Sequence, residues 1–218
     1  SDLIYRPIGH LRRRGAFGPE EADYFVSGYP RSGNHFCSYA LRLLAEGNYR
    51  INKPSHIPPL VERSVKMRHP TVIVLRTPRK AALSWSIYTG ESLEASLKYY
   101  VQYHELSWKH RSSFLVAEFD DFTKDIRPLA RALSERWDLK FDLTNYDHSE
   151  LTARTFAAIE EKERSQRGGN LDHNQLPSPS ATREELKKEL GSQITHPSLQ
   201  KLLQDCLNWH ERFSKLKV

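Results

Sequence analysis

Short β-branched runs alternate with amphipathic stretches through most of the chain. Tyr24-Phe25-Val26-Ser27 is a compact apolar run that ends at Gly28; Phe36, Tyr39, Ala40, Leu43 and Leu44 then recur at helical spacing until Gly47. This predicts a strand, a tight loop and a helix. Thr71 to Leu75 is a second β-branched run, after which Thr77 is placed to cap a helix, Pro78 suits its first position and Gly90 ends it. The pattern then predicts a longer helix from Ser92 to about Arg111 and a third strand over Phe114 to Ala117. Another helix is predicted over Asp125 to Trp137, with Leu129, Leu133 and Trp137 on one face. Strands alternating with helices predict an α/β fold class, a parallel β-sheet flanked by helices.

After Ser149 the pattern is helical to about Arg164. Gln166-Arg167-Gly168-Gly169-Asn170 then opens a polar loop through Pro177 and Pro179, a candidate mobile lid. Thr182 and Glu185 have the spacing of a capping box, and Gly191 is read as the close of a short helix before a final amphipathic helix from Pro197 to about Leu216. The expected organisation is one domain over residues 1–218. Its α/β core would lie at 24–125 and a mostly helical part at 149–218, with a loop near 165–181.

Composition narrows the class. With 218 residues, 38% of them hydrophobic, the chain can bury a core without disulfide or metal staples. Cys37 and Cys206 are its only cysteines, so there is no disulfide framework, no CxxC pair and no zinc-ligand spacing. A reducing, cytoplasmic setting is the expectation; the start at Ser1-Asp2 leaves open a trimmed targeting segment. The longest aliphatic strand-like run, Val72 to Leu75, is far short of the ~20 apolar residues of a membrane span. The net charge of +6 is not spread evenly: residues 31–80 hold ten basic side chains against two acidic ones, and residues 101–150 hold seven against ten. A uniformly basic surface coating nucleic acid is therefore not expected, while a basic groove stays open.

Gly28-Tyr29-Pro30-Arg31-Ser32-Gly33-Asn34-His35 follows a strand and opens a helix, with its glycines at the spacing of a Walker A loop, GxxxxGK[ST]. Such a loop turns backbone N–H groups and a helix N-terminus toward phosphate oxygens. The two positions that normally supply the phosphate lysine and the magnesium hydroxyl are Asn34 and His35, which equips the loop poorly for metal-assisted nucleotide hydrolysis. The cradle itself remains, with Arg31 inside it. A plain glycine turn without a ligand is the alternative at this point. Arg76 follows the second strand and Ser84 sits eight residues on, two turns into the next helix, so both fall at the crevice where open α/β sheets bind ligands. An Arg and a hydroxyl there suit a second phosphate, and two anion sites suggest a doubly phosphorylated nucleotide.

These stretches resemble a known family. Tyr29-Pro30-Arg31-Ser32-Gly33-Asn34-His35-Phe36 is similar to the 5′-phosphosulfate loop, YPKSGTTW, of the sulfotransferases that use 3′-phosphoadenosine 5′-phosphosulfate (PAPS). Val74-Leu75-Arg76-Thr77-Pro78-Arg79-Lys80-Ala81-Ala82-Leu83-Ser84 is similar to their 3′-phosphate motif. Lys53-Pro54-Ser55-His56-Ile57-Pro58 resembles the KTHLP segment of the small-molecule branch, Leu115 to Asp121 resembles a strand ending in YED with Phe119 near the usual Tyr, and Arg167-Gly168 is similar to a late RKG loop. The resemblance covers residues 24 to about 125 and extends weakly to Arg167.

The resemblance implies a P-loop nucleotide-kinase-like three-layer sandwich with a helical C-terminal part. PAPS would be the co-substrate, held by Arg31, Ser32, Gly33, Asn34, His35, Phe36, Arg76, Ser84, Arg167 and Gly168. His56, Arg31 and Lys53 would be catalytic, with Glu62 as an alternative base and no metal in the site. The acceptor would be the hydroxyl of a small molecule or glycan; no nucleic-acid partner is expected. A neutral imidazole is matched to removing the acceptor proton near neutral pH. Taken singly, the same residues have plainer readings, with Phe36 as core, Ser84 as a helix hydroxyl and Cys37 as a small core residue. A kinase-like nucleotide enzyme, or a basic module for nucleic acid or acidic polysaccharide prompted by Arg12-Arg13-Arg14, stand as the alternative functions. Trp85, Tyr88, Tyr99, Tyr100 and Tyr103 are either a core stripe or the wall of an acceptor pocket.

Overall fold

The structure, a computed structural model, describes residues 22–51, 54–166, 181–194 and 196–218. Strand β1 (Phe25–Gly28) leads into helix α1 (Asn34–Leu44). Helix α2 (Pro58–Lys66) precedes β2 (Thr71–Leu75), and α3 (Pro78–Thr89) and α4 (Leu93–Trp108) separate β2 from β3 (Leu115–Glu118). There follow α5 (Phe119–Phe122), α6 (Arg127–Trp137), α7 (His148–Gln166), α8 (Ala181–Gln193) and α9 (Pro197–Ser214).

The three strands are parallel in the order β1-β2-β3, with Val26 opposite Val72 and Val72 opposite Leu115. Their carboxyl ends, Gly28, Leu75 and Glu118, therefore share one edge, and the chain turns there into α1, α3 and α5. Side chains alternate across the sheet. Val26, Val72, Val74, Leu115 and Ala117 face a core built with Cys37, Leu41, Leu129, Leu133 and Leu151, from α1, α6 and α7. Phe25, Ile73, Leu75 and Val116 face a second core with Ala82, Leu97, Tyr100, Cys206 and Phe213, from α3, α4 and α9. Burial on both faces is what the unbroken Val-Ile-Val-Leu of β2 requires of a parallel strand. The result is a layer of helices, a sheet and a second layer of helices.

Both edges of the sheet are covered. Ser27 forms a parallel bridge with Ser55 beyond β1, and Val116 one with Lys217 beyond β3, where Val218 N donates to Val116 O at 3.1 Å. The C-terminal residues thus protect an edge that would otherwise offer open backbone groups.

Most predicted elements fall within a few residues of the observed ones. Gly90 closes α3 in the left-handed region (φ 75), and Ser92 caps α4 by accepting from Ala95 N at 3.2 Å. Thr77 occupies the cap position of α3, yet its side chain makes no capping bond; its buried hydroxyl has no partner among the described residues. Gly191 does not end a helix. Helix α8 runs through it to Gln193, because buried Ile194 continues the apolar face and the Gly191 carbonyl is held by Arg79 Nη2 at 3.0 Å. Lys53, Arg167, Gly168 and most of the candidate lid lie outside the described residues.

Candidate functional site

The β1–α1 loop is shaped by three backbone features. A Cβ on Gly28 would lie 2.4 Å from Asn34 Oδ1 and 2.5 Å from the Val74 carbonyl oxygen, so only glycine fits where β1 meets β2 at the loop entrance. Gly33 has φ 94, and a Cβ there would meet the Phe119 ring at 2.5 Å. Arg31 is left-handed at φ 63, which costs a non-glycine residue about 1–2 kcal/mol and needs outside support. Arg76 supplies it: Nη1 donates to the Arg31 carbonyl oxygen at 2.7 Å. Within the loop the Tyr29 carbonyl accepts from Ser32 N at 3.3 Å and from Asn34 Nδ2 at 3.0 Å. Helix α1 starts at Asn34, and its first backbone bond runs from Cys37 N to Gly33 O at 3.0 Å. The first-turn amides lie ahead of that bond, at the positive end of the helix dipole. Ser32 Oγ is buried in the loop with no hydrogen-bond partner among the described residues.

The two expected anion sites are brought together. Arg31 Nε donates to Ser84 Oγ at 3.3 Å, and the Arg31 guanidinium lies over the Tyr88 ring at 5.2 Å. Arg76 is fixed from several sides: its guanidinium lies 4.2 Å from the Phe119 ring centroid, and its carbonyl accepts from the Tyr100 hydroxyl at 2.8 Å. Phe119, at the position where the resembling motif has Tyr, thus packs both on Arg76 and on Gly33. The sequence spacing pairs Ser84 with Arg76 and sets Arg31 apart. In this structure Ser84 touches Arg31, and Arg76 touches the Arg31 backbone.

His56 is carried to the same edge by a short segment strapped along β1. Ser55 N donates to Val26 O at 3.4 Å, and Ser55 O accepts from Gly28 N at 3.3 Å and from Ser27 Oγ at 2.9 Å. Tyr103, in α4, bonds Ser27 Oγ at 2.8 Å, and the Tyr99 hydroxyl donates to the His56 carbonyl. The imidazole Nδ1 lies 2.9 Å from the Gly28 carbonyl oxygen, an acceptor only; Nδ1 therefore carries the proton and Nε2 the lone pair. Burial pushes the His56 pKa down to about 4, with the Arg31 charge lowering it further and the Gly28 bond opposing. The ring is neutral throughout the physiological range, but at about 4 it is a base no stronger than an ordinary carboxylate, weaker than the ~6.5 imidazole expected from sequence.

The other candidates separate cleanly. Glu62 forms an ion pair with Lys66 at 2.6 Å on α2, and that partner holds its carboxyl below the ordinary range; among the described residues no bond ties it to the β1–α1 loop, where His56 meets Gly28. Phe36 is 8% exposed and packs its ring on Phe122 and Phe156, on the core side of its two readings. Cys37 is fully buried, and burial pushes its thiol pKa up. Tyr100 and Tyr103 are core residues with bonded hydroxyls, whereas Tyr88 is 38% exposed and stacks on Trp85, so this pair is what remains of the aromatic wall beside Arg31. The basic block also divides. Arg31, Arg76, Arg79 and Lys80 follow strand carboxyl ends, while Arg63, Lys66 and Arg68 sit at the end of α2 and before β2, at the opposite edge of the sheet. Sequence reasoning missed the supporting role of Tyr99, Tyr103, Ser27 and Ser55. Only the spacing of the tyrosines on α4 hinted at it.

No protein-family model and no curated protein matches the chain. Among solved structures, mouse sulfotransferase SULT7A1 complexed with PAP is similar over 94% of this chain and 93% of that chain, at 15% identity and a TM-score of 0.48. At that identity no residue role passes from one chain to the other. Among the described residues no helix is long and apolar enough to cross a membrane, and no three His, Cys, Asp or Glu side chains gather as a metal-binding group.

Proposed function

We propose that this chain is a PAPS-dependent sulfotransferase that moves the sulfuryl group of PAPS to an acceptor hydroxyl and releases 3′,5′-ADP (PAP). The observation that carries this reading is the convergence of Arg31, Ser84, Arg76 and His56 on one sheet edge around a glycine loop, as seen in the Arg31–Ser84, Arg76–Arg31 and His56–Gly28 contacts.

In this reading the loop amides, Ser32 Oγ and the Arg31 guanidinium take the 5′-phosphosulfate, and Arg76 and Ser84 take the 3′-phosphate. The acceptor hydroxyl attacks sulfur in line while His56 Nε2 removes its proton, and the S–O bond to the 5′-phosphate breaks. Charge builds on the departing phosphate oxygen as in other loose group transfers, and Arg31 with the loop dipoles stabilises it. No step uses a metal. Asn34 serves through its backbone, because its side chain is turned into the loop and is bonded there. Lys53 as a catalytic residue, and Arg167 and Gly168 as nucleotide ligands, rest on the resemblance alone, and Trp85 with Tyr88 would form one wall for a small-molecule or glycan acceptor. The setting expected for this activity is the cytoplasm.

The test is transfer of label from sulfur-labelled PAPS to pooled phenols, alcohols, lipids and glycans. Wild type is expected to label at least one pool and His56→Ala none. Failure of wild type with every pool contradicts the proposal.

A further inference from the structure

The ring of Phe119 lies where the two halves of the proposed nucleotide site meet. Phe119 is the first residue of α5, the short helix that follows β3. Its ring centroid is 4.2 Å from the Arg76 guanidinium carbon, the shortest cation–ring distance among the described residues. The same ring stands against the phosphate loop, with Cδ2 at 2.5 Å and Cε2 at 2.7 Å from the point a Gly33 Cβ would occupy.

A helix of 4 residues cannot hold a side chain in place by itself, and its neighbours do so. Phe122 is 3% exposed and meets the Phe119 ring edge-on at 5.8 Å. Asp120 pairs with Lys80 Nζ at 3.1 Å, and Asp121 with Lys217 Nζ at 2.8 Å. Exposed pairs of this kind are worth little singly, so buried Phe122 is the main anchor. Lys80 belongs to the first turn of α3, directly after the segment that carries Arg76, and its pair ties α5 to that segment.

The bond from Arg76 Nη1 to the Arg31 carbonyl oxygen, at 2.7 Å, fixes one corner of the guanidinium but not its plane. A planar cation in contact with a ring face is attracted to it and keeps its donors, which lie in its own plane, for other acceptors. We propose that Phe119 is the positioning residue of Arg76: its ring sets the plane of the guanidinium, so that the in-plane donors serve both the Arg31 carbonyl and the nucleotide's 3′-phosphate. The effect on the nucleotide rests on the reading of Arg76 as a 3′-phosphate ligand. The fixing of Arg76 is a property of the protein without nucleotide.

Substitution separates the two contacts of the ring. In Phe119→Leu the branched carbons replace the Cδ positions and keep the packing on Gly33, but no ring face meets Arg76. Phe119→Tyr, which brings in the residue of the resembling motif, keeps the face.

The experiment compares wild type, Phe119→Leu and Phe119→Tyr in two ways. One is calorimetric titration with PAP and with 5′-AMP, which lacks the 3′-phosphate. The other is 1H–15N spectroscopy of the Arg76 Nε–H group without nucleotide, assigned with Arg76→Ala. Phe119→Leu is expected to bind PAP about fivefold more weakly, the loss of one cation–ring contact, with its affinity for 5′-AMP within about twofold of wild type. Phe119→Tyr is expected to bind both like wild type. The Arg76 signal should be shifted upfield by the ring current in wild type and Phe119→Tyr, and should return to the ordinary arginine position in Phe119→Leu. Equal weakening of PAP and 5′-AMP in Phe119→Leu, or a tyrosine variant that behaves like the leucine one, would assign the ring to packing alone and overturn the proposal. An unshifted wild-type signal overturns it too, and this decides even if the variants do not fold. A shifted signal that Phe119→Leu loses, in a protein that binds no PAP, leaves the role of Phe119 standing and removes the sulfotransferase reading. PAP binding with an unshifted signal removes the role of Phe119 alone.

Discussion

Arg31 Nε donates to Ser84 Oγ at 3.3 Å, across 53 positions of sequence. The contact joins the loop after β1 to the second turn of α3, and it makes Ser84 a partner of Arg31 as well as a ligand for the nucleotide in the proposed function. Ser84→Ala removes one hydroxyl from a site of charge-assisted bonds, each worth about 1.5–3 kcal/mol. A loss of PAP affinity of roughly tenfold is expected, by calorimetry, with the melting temperature moved by less than about 3 °C. Unchanged affinity would show that Ser84 only serves Arg31.

Gly28→Ala tests the loop entrance. Its Cβ would lie 2.4 Å from Asn34 Oδ1 and 2.5 Å from the Val74 carbonyl oxygen, and the second obstacle is sheet backbone that cannot swing away. A destabilisation of about 1–3 kcal/mol is expected, read as a lower denaturation midpoint. Wild-type stability in this variant would contradict the observed packing of β1, β2 and α1.

Tyr99→Phe removes the hydroxyl that donates to the His56 carbonyl. The ring should still pack against Tyr29, so the loss is one hydrogen bond, about 1 kcal/mol. The segment carrying His56 should loosen, lowering kcat several-fold while PAP affinity stays within about twofold. Equal loss of both would assign Tyr99 to general stability.

Two histidines make the fold sensitive to acid. Burial holds His56 at about 4 and His104 at about 3, both below the ~6.5 of an unfolded chain. Between those values the unfolded chain binds more protons, so stability is fully present above pH ~6.5 and falls as the pH drops toward 4 and then 3. Urea midpoints measured from pH 7 to 4 should decline, and His56→Gln should flatten part of that slope. For the same reason the acid limb of kcat/KM is expected near 4 rather than 6.5.

Much of this was legible in the sequence because β-branched runs and glycine spacing report local structure directly. Thr71 to Leu75 reads as a β-branched strand, which the structure finds buried throughout, and Gly33 and Gly90 mark turns where the backbone has positive φ. What stayed hidden depends on tertiary neighbours. Nothing local marks Arg31 for a left-handed conformation, since its support comes from Arg76, 45 positions away. Ser55 follows no strand-like pattern, yet it pairs with Ser27 and so decides where His56 sits. Gly191 looked like a stop because its bond to Arg79 and the burial of Ile194 are likewise long-range. The +6 charge resolved only in part, because one group of its basic residues lies at the opposite edge of the sheet from the site.

In the proposed function Arg31, Arg76 and Ser84 form a site for one doubly phosphorylated nucleotide. Its most direct test is calorimetric titration of wild type and Arg76→Ala with PAP. Saturable binding by wild type at one site per chain is expected, weakened at least tenfold in the variant; equal affinity in the two proteins, or no binding in either, would rule the site out.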